Sequence, residues 1–443
     1  MQSIFIPLSF FVVIVYTFRI YNRNPLILAL GSLFFIEMIW QFISIIWIDC
    51  GAYISEQLRY SYYTGASIRY TLLIMPFACL FPYLLDRNLK RKKITTVRLK
   101  LGSAKGISKQ NLYILCLLAI GYLLTNVLIS GAIPLFSHIN YSRFYDQYSV
   151  LPFARIIYDY FLPFISVILG GMAGEARKNN KETKIYFIAM GMILVLQLLL
   201  NCKFYGLYDY ILQFVLGFFV FQYDLSKHTK FKLPIKAILI GLLGVGILLY
   251  ISYTKYSYSE INPFQYLLDR VFALQNHTFW GIDKLHHEGL FTSDTIGFVN
   301  EILSGFLSLD ISRLNPDYGI ARVMYMVSAG TYARDMLSSG YLFAGSYLTV
   351  ILSYVGYLFA FISSFILAFI VSKLCANLYG SILTKNYFAA FVYFYILKRY
   401  YEFFRVGNFA MILNWKFLVL YLFLFLMYIV SLRSNRNSGK GGF

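Results

Sequence analysis

The chain has 443 residues, of which 59% are hydrophobic and only 13% charged, with a mean hydropathy of +0.63. So few polar groups cannot cover a water-facing surface, which excludes a soluble globular protein and makes lipid the expected solvent. The formal net charge of +19 would suggest nucleic acid in a soluble chain; here it is first a question of which loops carry the cations.

Bilayer-crossing helices need roughly 17–25 apolar residues. Runs approaching that length lie at 2–18, 25–48, 67–85, 111–129, 153–174, 185–201, 207–223, 236–253, 343–372, 387–400 and 414–431. The first lacks the basic start and small-residue cleavage pattern of a signal peptide and is read as a span. The reading is an all-α polytopic membrane protein of about eleven transmembrane helices, one transmembrane domain over 1–433, with a large outer loop at 254–342 and a disordered tail at 434–443.

The cations fix the expected orientation. Residues 86–110 carry nine Lys and Arg against one acid, Asp86. Residues 175–184 and 224–236 carry four each, and Arg19, Arg23, Lys373, Lys385, Arg433, Arg436 and Lys440 flank other links on the same side. About two dozen of the 39 basic residues therefore mark one face as cytoplasmic, with the N-terminus outside and the C-terminus inside. No stacking motif accompanies the charge, so nucleic acid is not an expected partner.

Cations on the opposite side run against this rule and are more informative. They include Arg59, Arg69, Arg143, Arg155, Lys203, Arg270, Lys284, Arg322, Arg334 and Arg405. The planar fork of arginine makes two parallel bonds to phosphate, so the set suggests an anion such as pyrophosphate. For any one arginine, snorkelling or a nearby acid is the plainer explanation.

The link after the fourth span reads Gly131-Ala-Ile-Pro-Leu-Phe136, then Tyr141-Ser-Arg-Phe-Tyr-Asp146, which aims Arg143 and Arg155 at the mouth of the bundle. Lys203 stands in a short link at similar depth, with Asp209 as a partner for it. The large loop holds nine acids, six bases and His277, His286 and His287. Phe264 to Leu274 and Asp294 to Leu307 have helical spacing, as expected of short helices on the membrane or over a cavity. A histidine can take a proton from a sugar hydroxyl, with Asp269, Asp283, Glu288 and Asp294 as alternatives. Gly356 interrupts the ninth run. Glu37 lies inside the second run and needs a partner or a proton. Cys50 and Cys202 both fall near the outer face, though spacing alone does not pair them. No metal-ligand spacing is present.

Several of these segments together are similar to the Wzy-type O-antigen polymerases, the oligosaccharide repeat-unit polymerases. They are the Gly131–Phe136 link with its arginine, the Lys203 link, Gly345-Ser-Tyr347 closing the large loop, Tyr354-Val-Gly356-Tyr357, and Phe404-Arg-Val-Gly-Asn408. The resemblance implies a glycosyltransferase similar in fold to the polytopic GT-C enzymes that use lipid-linked sugars, working without metal or cofactor. It implies undecaprenyl-pyrophosphate-linked oligosaccharides as donor and acceptor, the outer face of the bacterial inner membrane as the location, and a chain-length regulator as a further partner. On that reading Arg270, Arg322 and Arg334 act at the reacting pyrophosphate, His277 is the base, and Arg143, Arg155, Lys203 and Arg405 hold the pyrophosphate or its rim. An O-antigen ligase shares the chemistry with a different acceptor. A flippase or transporter would be expected to show related halves and no large outer loop.

Overall fold

A computed structural model describes residues 15–16, 19–20, 24–99, 109–137, 139, 141–200, 204–222, 268–307, 315–338, 341–415 and 417–422. Among them the protein is helical apart from one two-residue hairpin, β1 (Tyr53–Ile54) against β2 (Arg59–Tyr60), with Tyr53 opposite Tyr60. Among the described residues, five helices are long and apolar enough to cross a membrane: 32–49, 66–91, 109–129, 154–178 and 357–383. The protein is thus an all-α membrane protein. All but residues 15–16 of the run at 2–18, the run at 236–253, Lys203, Cys202 and most of the last run lie outside the described residues.

The chain packs as two compact units. The first comprises Met1–Ile39, Ala78–Arg270 and Ala368–Tyr395. It begins with α1 (Pro25–Leu30), where Asn24 Oδ1 accepts from Leu26 N–H at 3.2 Å and Pro25 takes the first helical position. After it come α2 (Ser32–Asp49) and α3 (Ala66–Leu99), which belong to this unit only in part, then α4 (Lys109–Ile129) and the short α5 (Pro134–Ser137) and α6 (Tyr141–Gln147). The unit continues with α7 (Ala154–Lys178), α8 (Lys184–Leu199) and α9 (Phe204–Gln222).

Helix α3 runs on well past the apolar stretch expected at 67–85. Between Asp86 and Leu99 nothing breaks a helix: the stretch has no Gly or Pro and is rich in Lys, Arg and Leu. Asp86 and Lys90 pair across one turn at 2.6 Å.

Helices α7 and α9 meet backbone to backbone. A Cβ on Gly170 or Gly174 would land on the main chain of Phe214 or Phe218, and one on Gly217 would land on the carbonyl of Val167. Small residues four apart permit this approach without a hydrophobic driving force from water. At the end of α7, Glu175 pairs with Lys109 at 2.7 Å and Lys385 at 3.3 Å. Three separate links therefore meet at one end of this unit.

The second unit comprises Trp40–Phe77, Val271–Leu367 and Ile396–Phe443. Its described part of the large loop is structured throughout: α10 (His277–His287), α11 (Thr295–Leu307), α12 (Gly319–Val327) and α13 (Gly330–Ser338). The expected ninth span is two helices, α14 (Tyr347–Val355) and α15 (Tyr357–Leu383), parted at Gly356. Helix α16 (Tyr387–Val406) outlasts the apolar run expected at 387–400 and ends at Gly407, whose φ is +78°.

Polar side chains on one stretch of α2 sew it to the start of the loop. Trp40 Nε1 donates to Val271 O at 2.6 Å, and Ser44 Oγ donates to Ala273 O at 3.1 Å. Ser44 Oγ also accepts from Asn276 N–H at 3.0 Å, and Tyr70 donates to Gln41 Oε1 at 2.8 Å. Inside a lipid-solvated protein such bonds satisfy backbone groups that no water reaches.

Candidate functional site in the large loop

Helix α10 organises the site. Its first seven residues, His277 to Asp283, are all buried. His277 has no exposed surface. Its Nδ1 lies 3.2 Å from Leu274 O, and its Nε2 lies 3.1 Å from Glu56 Oε2. A carbonyl only accepts, so Nδ1 carries a hydrogen. Glu56 Oε1 accepts from Tyr341 at 2.8 Å. In this conformation the ring is enclosed by protein: Nδ1 is bonded to Leu274 O, and Nε2 lies beside Glu56 without a hydrogen bond of its own.

One turn before its end, α10 presents Asp283 to Arg69. Arg69 Nε donates to Oδ1 at 2.7 Å and Nη2 donates to Oδ2 at 2.6 Å. Tyr357 adds a bond to Oδ1 at 2.9 Å, and Arg69 Nη2 also reaches Thr64 O at 2.7 Å. Arg69 is therefore committed to a buried carboxylate.

His286 sits beside the break at Gly356. In an unbroken helix the carbonyls of Leu352 and Tyr354 would accept from residues four further on. Here Leu352 O accepts from His286 Nε2 at 3.0 Å, and Tyr354 O accepts from Asp294 N–H at 2.7 Å. His286 stacks on Phe291 with centroids 3.6 Å apart. Burial lowers its pKa below the ordinary value of 6.5.

A cavity of about 340 Å³ opens on the other side of α10. Its polar lining is Gln57, Arg59, Lys284, Glu288 and Ser328. Arg59 is held by two bonds to Gln57 Oε1, at 2.9 and 2.6 Å, and by one to Val327 O at 3.2 Å. Its guanidinium lies 5.3 Å from the Trp280 ring centre, and burial lowers its pKa. Lys284 Nζ lies 5.2 Å from the Tyr62 ring and 3.7 Å from Glu288. Tyr62 donates to Glu288 Oε1 at 2.7 Å, and this bond raises the pKa of the phenol. Tyr60 and Tyr62 are exposed, on β2 and on the irregular segment that follows it. The cavity thus joins two cations and one engaged carboxylate, with Tyr62 and Trp280 packed against the cations from outside the lining.

Of the arginines expected to gather on pyrophosphate, Arg143, Arg155 and Arg270 belong to the first unit, and Arg322, Arg334 and Arg405 to the second. Arg155 pairs with Asp146 and, at 3.6 Å, with Asp159. Arg143 and Arg334 are exposed, and Arg270 and Arg405 are half-buried. Arg322 donates to Asp294 Oδ2 at 2.6 Å and lies 4.3 Å from the Tyr354 ring centre. Among the described residues no cluster of three His, Cys, Asp or Glu side chains is placed to hold a metal ion.

Two of the motifs that carried the resemblance have local structural roles here. Ser346 caps α14 through Thr349 N–H at 3.3 Å, and Tyr347 is buried against Ser364 at 2.7 Å. Asn408 Oδ1 accepts from Ala410 N–H at 2.9 Å. Residues 315–421 match a family of unknown function (DUF6418), a window that takes in Arg322, Arg334, Gly356 and Arg405 but covers less than half of the chain. No curated protein and no solved structure matches the chain.

Proposed function

We propose that this protein polymerises undecaprenyl-pyrophosphate-linked oligosaccharide repeat units into a surface polysaccharide, on the outer side of the bacterial inner membrane. The observation that carries the reading is the cavity beside α10. Arg59 and Lys284 line it and offer positive charge to a phosphorylated or acidic substrate, and outside its lining the exposed Tyr60 and Tyr62 offer aromatic surface to sugars. The apolar helices, the outer cations and the segments similar to Wzy-type polymerases support it further. So does the meeting of Lys109, Glu175 and Lys385, which the positive-inside pattern assigns to one side. In this reading the fold has about eleven spans in a GT-C-like arrangement.

In the proposed reaction the acceptor's terminal hydroxyl attacks the anomeric carbon of the donor. The bond to undecaprenyl pyrophosphate breaks, and the hydroxyl proton leaves with a base or the departing phosphate. The protein supplies position and charge stabilisation. Arg59 and Lys284 join Arg143, Arg155, Lys203, Arg270, Arg322, Arg334 and Arg405 as candidate phosphate partners. His277 enters the chemistry only if the loop opens to release it from Glu56; as it stands, it orders the loop.

The test is deletion in the native host followed by gel analysis of surface polysaccharide. Loss of the ladder with one repeat still attached to its acceptor supports a polymerase. Loss of all attached glycan, with polymer accumulating on the carrier lipid, replaces it with a ligase. An unchanged ladder overturns both.

A further inference from the structure

Helix α11 is built inside out. Its inward face carries Phe298, Glu301 and Gly305, three and four residues apart. Phe298 packs edge-on against Phe409 with centroids 5.4 Å apart. Glu301, 3% exposed, accepts from Gly319 N–H at 3.0 Å. Gly305 lies so close to Ala410 that a Cβ would sit 3.0 Å from its Cα. The outward face carries Ile296, Val299, Leu303 and Phe306, which are 45% to 77% exposed. The carboxylate of this helix is buried, while these four large apolar side chains are bare, with the polar Thr295 and Asn300 exposed beside them. A water-facing amphipathic helix has the reverse arrangement.

We propose that this outward face of α11 lies in the hydrocarbon of the bilayer, so that the large loop dips into the membrane instead of standing clear of it. Three further observations favour lipid as the occupant. The exposed side chains are of the same kinds as those on α15, a candidate span, which bares Leu358, Ile362, Phe365 and Ile366. The patch also continues onto the last apolar segment: α11 packs on the turn Phe409–Met411, and the chain just beyond it exposes Trp415, Leu418, Val419 and Leu422. Tryptophan beside aliphatic residues is the usual composition of a helix entering a membrane. Finally, the 13 residues of α11 are about 20 Å long, too short to cross the roughly 30 Å hydrocarbon core but suited to a re-entrant or in-plane segment. The inference needs no assumption about the reaction catalysed.

The experiment uses the full wild-type chain in liposomes containing a phosphatidylcholine with a diazirine in its acyl chain. Irradiation is followed by mapping of lipid adducts, and a parallel sample is footprinted with hydroxyl radicals from the water phase. Adducts on Ile296, Val299, Leu303 and Phe306 at a density like that of 358–366, and several-fold above the exposed Pro316–Asp317 turn, are expected. Strong radical oxidation of these four residues would mean that they face water. Protection from both reagents would mean that protein covers them. Either result overturns the proposal, whatever the deletion strain shows about polysaccharide.

Discussion

Arg69 and Asp283, 214 residues apart in sequence, form a two-pronged ion pair with bonds of 2.7 and 2.6 Å. Asp283 is fully buried, and its pairing with Arg69 fastens the start of α3 to α10. A buried pair contributes little beyond an apolar substitute of the same shape, but leaving one partner alone is costly.

Arg69→Met should therefore destabilise the protein by about 3–5 kcal/mol, the usual penalty for stranding a buried charge, because it leaves the fully buried Asp283 without its cation. Asp283→Asn should cost less, because Arg69 keeps 29% of its side-chain surface exposed and its bond to Thr64 O. The double variant should recover a good part of the loss. Thermal unfolding in detergent micelles, run as a double-mutant cycle, checks this; simple additivity would show that the two residues do not act as a pair.

Gly356 has φ +81° and ψ −171°, a region open essentially to glycine alone. Gly356→Ala should cost about 1–3 kcal/mol from strain. The same substitution at Gly121, which lies in regular helix with open space around it, should be neutral or slightly stabilising. Comparing the melting temperatures of the two variants separates backbone strain from general intolerance of substitution.

The pH response of the loop should follow His286. Its folded pKa is lowered by burial, opposed by the bond to Leu352 O and the Asp283 charge and reinforced by Arg69. The unfolded chain therefore binds a proton more readily than the folded one. Stability from this group is complete above the unfolded value near 6.5 and falls as pH drops below it toward the lowered folded value. Melting temperature should decline from pH 7.5 to pH 5, and His286→Asn should flatten that decline. A profile unchanged by the substitution would remove His286 as its source.

Asp294 should act at lower pH. A backbone bond from Gly297 and the pairing with Arg322 hold its carboxyl below the usual range. This contribution is present above the unfolded value and is lost as pH falls through the lowered folded one. Hydrogen exchange at the start of α11, corrected for intrinsic rates, should speed up in Asp294→Asn at pH 7. The wild type should match it only in strong acid.

Arg59→Ala and Lys284→Ala should each shorten or abolish the polysaccharide ladder at normal protein abundance, whereas Arg59→Lys should retain part of the function. Loss with Arg59→Ala and full function with Lys284→Ala would confine the anion to the guanidinium side of the cavity. Two silent variants would dissociate the cavity from the reaction.

The membrane class was legible because burial in lipid leaves long apolar runs that nothing else explains. The break at Gly356 was only hinted at, because a glycine inside such a run serves ordinary helix packing as well as a break. The extension of α3 to Leu99 was not, because a charged sequence can be loop or helix and only the lack of breakers argued for helix. The cavity was half visible: Arg59 and Lys284 stood out as cations expected on the outer side, and Glu288 as an alternative base. The rings of Tyr62 and Trp280 that pack against those cations did not, in a chain whose residues are 19% aromatic. The partners of His277 and Arg69 were hidden for a simpler reason. Glu56 and Asp283 are distant in sequence, and no periodicity encodes contacts between a loop and a separate helix.

The hydrogen-bond acceptors exposed at Gly356 are the ones that hold the loop. Leu352 O and Tyr354 O are free for His286 and Asp294 only while the helix is cut. The docked loop and the cut helix are therefore one state, and a ligand that prefers the docked loop stabilises the cut by the same free energy. A substrate bound among the loop helices would thus be felt as stiffness in a membrane helix it never touches.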